Sequence, residues 1–339
     1  MKAAVFYGKN DLRIEDLAMP QLGDDEVLVR VHACGVCGTD AHIFCGDEGA
    51  AATPAGTALG HEFAGEVTQV GKAVRGIAAG DHVCVDPNKL CGKCTFCLSG
   101  AGHFCTDMIG IGTTVHGGFA EYCAVPSSQV HRVSKTLPYE AAAMTEPVSC
   151  CLHGIDLCNI RCGSTVAVIG CGMIGMLMLQ LAKMSGAGRL IAIEPIAEKR
   201  AKALELGADL AFDPMHEDIA ACLRNAGVGN VDTVIECVGR TSTIEQAIDL
   251  AGNNSTVMMF GLTAPNDEIR VRPFTLFKKE IVLKSSFINP YTFPRALALI
   301  ENGKIDVTSM IHEKITVDEL PELLADAKRR AAGKYLVVF

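Results

Sequence analysis

The run Thr165-Val-Ala-Val-Ile169, leading into Gly170-Cys-Gly172-Met173-Ile174-Gly175, restricts this chain more than any other stretch. An all-apolar strand is followed by three glycines at G-x-G-x-x-G spacing. Ile174, Leu177, Met178 and Leu181 then fall at helical spacing. The glycines permit a tight turn and let a pyrophosphate approach the start of the helix, whose free N–H groups and dipole favour an anion. A second apolar strand, Leu190-Ile-Ala-Ile193, ends in Glu194, nineteen positions after Gly175. A carboxylate there accepts from both ribose hydroxyls of a dinucleotide and repels a 2′-phosphate, so NAD is expected rather than NADP. The plainer alternative is that Glu194 is a solvated strand end. The glycine pattern alone is weak, and its specificity comes from the strand before it, the helix after it and the trailing acid.

The same rhythm continues downstream. Helices are expected at 197–206 and 241–251, and strands at 210–212, 233–236, 256–260 and 281–284, which is a doubly wound parallel α/β domain. A helix at 294–302 and an apolar strand at 335–339 follow, and this tail is expected to pack back on the first domain. Residues before about 145 read differently. Short alternating strands at 27–31, 63–70, 82–85 and 119–125, punctuated by glycine and proline, suggest an antiparallel barrel with function on its loops, and the glycine-rich cysteine stretch from Cys34 to His42 is expected to be such a loop. Two domains suit a chain of 339 residues.

Two groups of metal-ligand residues lie in that first part. Cys91-x2-Cys94-x2-Cys97-x7-Cys105 places four thiols within one short segment, the pattern of a closed structural zinc site. A bacterial iron–sulfur run would have its fourth cysteine three residues on, followed by proline; here the gap is seven and Thr106 follows. The second group is dispersed: Cys37, the adjacent His61 and Glu62, and the distant Glu146 of Thr145-Glu146-Pro147. Three protein ligands with an open position make a catalytic zinc, which polarises an oxygen and lowers its pKa.

The net charge of −9, from 30 basic and 39 acidic residues, and the lack of a basic stripe speak against a nucleic-acid partner. The apolar run 166–179 is shorter than the ~18 residues a membrane span needs, and the glycine turn explains it. Sixteen cysteines in a long chain, with no leader expected at its start, read as reduced thiols in the cytoplasm, some of them holding metal.

Taken together, the chain resembles the zinc-containing medium-chain dehydrogenases over essentially its full length, most of all the polyol (sorbitol-like) and threonine dehydrogenase branches. The resemblance rests on C-G-T-D-x-H at 37–42, G-H-E at 60–62, the four-cysteine lobe, G-G-F-A-E-Y at 117–122 and G-C-G-M-I-G at 170–175. It implies a GroES-like catalytic barrel, 1–148 completed by 288–339, and a Rossmann domain, 149–287, with the active site in the cleft between them. It also implies one catalytic and one structural zinc per chain, NAD as cofactor, a small-molecule alcohol as substrate, and a homo-oligomer, tetramer or dimer. Carried over by position, Cys37, His61 and Glu62 match catalytic zinc ligands. Glu146 matches a further ligand, binding directly or through water. Asp40 matches the partner that orients the zinc histidine, Thr39 and His42 the proton relay, and Lys199 the basic residue near the adenine ribose.

The implied reaction oxidises a secondary alcohol of a polyol or sugar alcohol, with an amino alcohol such as threonine as the alternative. A non-catalytic nucleotide-binding protein is the reading from another class. Two departures bear on substrate. Sorbitol dehydrogenases have an Arg-Tyr pair where this chain has Ile288-Asn289, and threonine dehydrogenases have Asp-Pro where it has Glu146-Pro147. Asn289, Phe119 and Phe44 are candidate pocket walls, with ordinary core packing the equal alternative for the two phenylalanines.

Overall fold

The structure is a computed structural model that describes residues 1–47 and 52–339. The chain divides into two compact units, Met1–Ser149 with Asn289–Phe339, and Cys150–Ile288.

In the first unit the long strand Glu26–Gly35 is the spine. One edge pairs antiparallel with Glu62–Val70 along its length. The other edge takes Tyr122–Pro126 against its first half and the terminal strand Lys334–Val338 against its last three residues. Val27, Val29 and Val31 alternate into a core with Phe63, Val67, Phe119 and Val337. The sheet is antiparallel except where Ile311–Ile315 runs parallel to Lys334–Val338. Between those two strands lie the helices Leu320–Ala325 and Ala327–Arg330, the kind of crossover that parallel pairing requires.

Three local features differ from the sequence reading. The cysteine-rich stretch expected as a loop contains a helix, Gly38–Phe44, begun by Cys37 as its cap. Asp40, three residues on, accepts the Cys37 N–H at 2.8 Å and so closes the first turn. The strand expected from Phe119 begins only at Tyr122; Phe119 is fully buried, its N–H donating to Leu59 O and its carbonyl accepting from Ala4 N. A helix, Thr145–Cys158, lies where none was expected. Pro147 falls in its first turn, where no N–H is needed, but Gly154 in its interior weakens the sequence signal. The Phe260 ring explains that glycine, because a Cβ there would come within 2.8 Å of it.

The second unit carries a six-stranded, wholly parallel sheet. Numbered along the chain from Thr165–Ile169 to Val282–Ser285, its strands lie in the order 3-2-1-4-5-6, the doubly wound arrangement of dinucleotide-binding domains. Among the described residues no helix is long and apolar enough to cross a membrane.

Candidate active site

Cys37, His61 and Glu62 converge in the first unit, each offering one ligand atom within 4.8 Å of the others. Local structure explains how two adjacent residues both point there. Gly60 holds φ +94°, a turn that L side chains resist, and the strand Glu62–Val70 starts immediately after His61. Register then sets Glu62 beside Gly35, two residues before Cys37. Behind the histidine, the fully buried Asp40 carboxylate faces His61 Nδ1 at 3.5 Å. That contact leaves Nε2 as the nitrogen available to a metal, the usual way a carboxylate orients a ligand imidazole.

The electrostatics fit a cation. Burial alone would push the His61 imidazole down, yet Asp40 and Cys37 hold it well above its ordinary value. The cluster thus attracts positive charge, and sulfur, nitrogen and oxygen donors together suit zinc. A second basic group, missed in the sequence, stands behind Glu62. Lys334 is 3% exposed, and its ammonium is ion-paired with the Glu62 carboxylate and donates to Val36 O at 2.9 Å. Burial lowers the ammonium, but Glu62, then Cys37 and Asp40, raise it above its usual range. A lysine opening an otherwise apolar strand, Lys334-Tyr-Leu-Val-Val, was the available signal. By contrast Cys34 is a fully buried thiol outside the trio, pushed well up by burial and by the nearby Asp40 and Glu62.

The remaining first-unit candidates fall at different distances from this centre. Thr39 Oγ1 lies 3.7 Å from Cys37 Sγ. His42 is partly exposed, with Nδ1 3.2 Å from Asp47 Oδ2. Glu146 is buried in the first turn of Thr145–Cys158 and is not in the 4.8 Å group. The three proposed pocket walls are corrected. Phe44 and Phe119 belong to the hydrophobic core. Asn289 is 2% exposed and satisfied by Asn88 Nδ2, which donates to its oxygen at 2.6 Å, and by Ser149 Oγ, which accepts from its amide at 2.9 Å.

The four-cysteine lobe brings Cys91, Cys94, Cys97 and Cys105 within 4.8 Å of one another. Cys91 and Cys97 sulfurs are 3.9 Å apart, too far for a disulfide. Tetrahedral zinc with Zn–S bonds of about 2.3 Å sets its sulfurs about 3.8 Å apart. Backbone N–H groups already point at the sulfurs, Cys94 N to Cys91 Sγ and Cys97 N to Cys94 Sγ at 3.4 Å, and Cys91 N to Cys105 Sγ at 3.3 Å. The backbone N–H groups of Cys97 and Thr106 draw the Cys94 thiol down to about 6, whereas loss of water and the adjoining Cys94 drive Cys97 up to about 12. Four thiolates this close cannot all ionise without a cation among them.

In the second unit the glycine turn has the division of labour its spacing implies. Gly170 sits at φ +86°, and a Cβ on Gly175 would strike the Gly170 carbonyl. Nothing lies within 4 Å of where a Gly172 Cβ would be. Gly172 opens the helix Met173–Met184, whose cap makes no side-chain hydrogen bond, so the N–H groups of its first turn, through Met173 and Ile174, remain for an anion. Glu194 is buried, its carboxylate accepting from Cys171 N at 2.8 Å and Ile196 N at 3.0 Å. It therefore fixes the turn itself, and two acceptor positions remain on the carboxylate. Lys199 lies half-buried one turn into Ala197–Glu205, and its neighbour Arg200 is engaged by the Glu194 carbonyl at 2.7 Å and by Asp213 at 3.2 Å.

Comparison with known proteins places both units. Residues 23–135 match the alcohol dehydrogenase GroES-like domain and residues 174–302 the zinc-binding dehydrogenase domain. The chain is 33% identical to D-arabinitol dehydrogenase 1 of Uromyces fabae over 98% of its own length and 96% of that protein. It is 35% identical to L-threonine 3-dehydrogenase of Caldanaerobacter subterraneus subsp. tengcongensis, covering 78% and 76% of the two chains. A solved structure from Sinorhizobium meliloti, described as a zinc-binding dehydrogenase bound to NADP, superposes with a TM-score of 0.95 at 38% identity, covering 100% of this chain and 99% of that one. With both domain types matched and a relative aligned over nearly the full length of both chains, the chain belongs to the zinc-containing medium-chain dehydrogenases, in the branch that holds the polyol and threonine dehydrogenases.

Proposed function

We propose that this protein oxidises a secondary alcohol of a polyol or sugar alcohol to the ketone, passing hydride to NAD and releasing a proton. The observation that carries this reading is the Cys37–His61–Glu62 group, with His61 and Glu62 buried and Cys37 partly so, backed by Asp40. The first unit is then the catalytic domain and the second the NAD-binding domain.

Cys37, His61 and Glu62 would hold a zinc, which would supply a Lewis acid that lowers the pKa of the substrate hydroxyl. The chain's own groups do the rest. Asp40 keeps the His61 ring oriented, and Glu146 contributes a further carboxylate, directly or through water. Thr39 takes the hydroxyl proton, and His42, partly exposed and paired with Asp47, passes it outward. The first turn at Gly172, Met173 and Ile174 receives the pyrophosphate, and Glu194 accepts from the ribose hydroxyls, with Lys199 beside it. The Glu194 carboxylate opposes a 2′-phosphate, and Asp213 holds Arg200, the nearest guanidinium that could neutralise one. The four cysteines hold the structural zinc.

L-Threonine is the second reading, favoured by the 35% identical threonine dehydrogenase. A panel of polyols and L-threonine, each with NAD and NADP and read by cofactor absorbance, separates the two. Turnover of a polyol with NAD is expected; turnover of threonine and no polyol overturns the first reading. Glu194→Ala should raise KM for NAD about 10–100-fold and narrow the gap to NADP, the scale of lost hydrogen bonds to a charged acceptor.

A homo-oligomer, tetramer or dimer, is supported by the edge strand Val282–Ser285, where Val282 is exposed, and by exposed Phe274 and Phe277 on Pro273–Lys279. None of the sixteen cysteines is joined in a disulfide, which supports a reducing, cytoplasmic setting.

A further inference from the structure

The fourth strand of the parallel sheet, Thr233–Glu236, ends on a carboxylate that is fully buried. Glu236 pairs with Ile169, the last residue of the first strand, so it stands beside the glycine turn. Its Oε1 accepts from Val238 N at 2.8 Å, Gly239 N at 2.9 Å and Thr243 Oγ1 at 2.7 Å. Its Oε2 has no hydrogen-bond partner among the described residues. Three donors and no acceptor meet this group, as an anionic carboxylate requires. All three donors are neutral, so they solvate the charge without cancelling it. A buried charge held by dipoles alone is felt by its surroundings with little screening.

A doubly wound sheet takes a dinucleotide at the carboxyl ends of its first and fourth strands, where the strand order reverses. Glu194 follows the second strand, on the adenine side of the glycine turn; the fourth and fifth strands lie on the other side, so the loops after them flank the nicotinamide half. Glu236 ties both loops down. Its side chain holds 238–239, and its carbonyl accepts from Phe260 N and Gly261 N at 2.9 Å each. Val238 reaches the turn itself, since a Cβ on Gly170 would lie 2.5 Å from Val238 Cγ2.

The nicotinamide ring carries a positive charge when oxidised and none when reduced. We propose that Glu236 determines which redox form this crevice prefers: its carboxylate, lacking a counter-ion, favours the oxidised cofactor, so NAD is taken up and NADH is let go after hydride transfer. This rests on reading the glycine turn as the NAD site. Glu236 transfers no proton; it acts through its charge.

Comparing the two cofactor forms separates charge from bracing. A lost brace loosens the loops and weakens both forms alike, and any effect on the pyrophosphate is also common to both. A lost charge weakens the oxidised form alone. The readout is therefore the ratio of dissociation constants, NAD over NADH, measured on the purified full chain by calorimetry without substrate. In Glu236→Gln, whose amide oxygen can still take the three donors, this ratio should rise about tenfold. Glu236→Ala also frees the loops, so both forms should bind more weakly with the same rise in their ratio; it stands in if the Gln variant does not fold. A ratio that holds or falls in either folded variant overturns the proposal. If the wild-type chain binds neither form, the reading of the glycine turn has failed; if it binds both and the ratio does not move, only the role of Glu236 has.

Discussion

The four-cysteine lobe draws every donor from one segment, 91–105, and preforms its thiols with its own backbone N–H groups. The Cys37–His61–Glu62 centre draws on a helix cap, a left-handed glycine turn and a strand start, and is completed by Asp40 behind one donor and Lys334 behind another. The lobe offers four like donors that would fit a cation by closing around it, so on the proposed reading its contribution is to stability. The dispersed centre offers three unlike donors whose charges are tuned by neighbours, so on the proposed reading its contribution is to chemistry. Locality makes a metal site structural at little cost in chain order. Assembly from distant segments lets each ligand be adjusted separately.

The sharpest way to break this contrast is to exchange the expected losses. Cys37→Ser or His61→Ala should cut alcohol oxidation about 10³-fold or more while circular dichroism and melting change little, since several kcal/mol of transition-state stabilisation depend on that cation. Cys94→Ser should do the reverse, removing one zinc per chain and lowering Tm on the order of 10 °C, with kcat of the folded fraction nearly kept. If the lobe variant loses turnover before it loses stability, the division is wrong. Asp40→Asn should weaken zinc at the dispersed centre about 10–100-fold and leave the lobe's zinc in place, as metal analysis during dialysis against chelator would show.

The smallest effect concerns Asp86, on the stretch of chain between the two centres. Burial, opposed by the Asn88 N–H and the Asn289 amide, raises its carboxyl from an ordinary value near 3.8 to about 6. The folded protein therefore holds this proton more tightly than the unfolded chain does. Stability contributed by the protonated form is present at low pH and declines as pH rises from about 4 through about 6. Asp86→Asn should flatten that decline and leave the protein about 1–3 kcal/mol more stable at neutral pH. Urea unfolding at several pH values checks it; an unchanged slope would place the titration elsewhere. Neither zinc centre should respond, which makes this variant a control for the other four.

How much could be read in advance follows the same division. The strand at 165–169, the glycine turn, Glu194 and the four cysteines are each defined within a few residues, and the parallel sheet and closed sulfur cluster appear where local spacing put them. The helix Gly38–Phe44 was missed because its start depends on one Asp40 side chain turning back to Cys37 N, and Thr145–Cys158 because Gly154 lowers its helical signal. Asn289 was misjudged as a pocket wall because its partners, Asn88 and Ser149, lie far away along the chain.

The sequence by itself determined the alternating strands and helices of the second unit, its glycine turn and the sulfur cluster, because propensity, turn geometry and short-range ligand spacing act within a few residues. Only the tertiary structure decided that Lys334 pairs with Glu62, that Asp40 backs His61, and that Cys34 stays a buried thiol beside them. Those choices hang on strand register between distant segments and on burial, which sets how strongly each charge is felt. Neither quantity is written in any stretch of the chain taken alone.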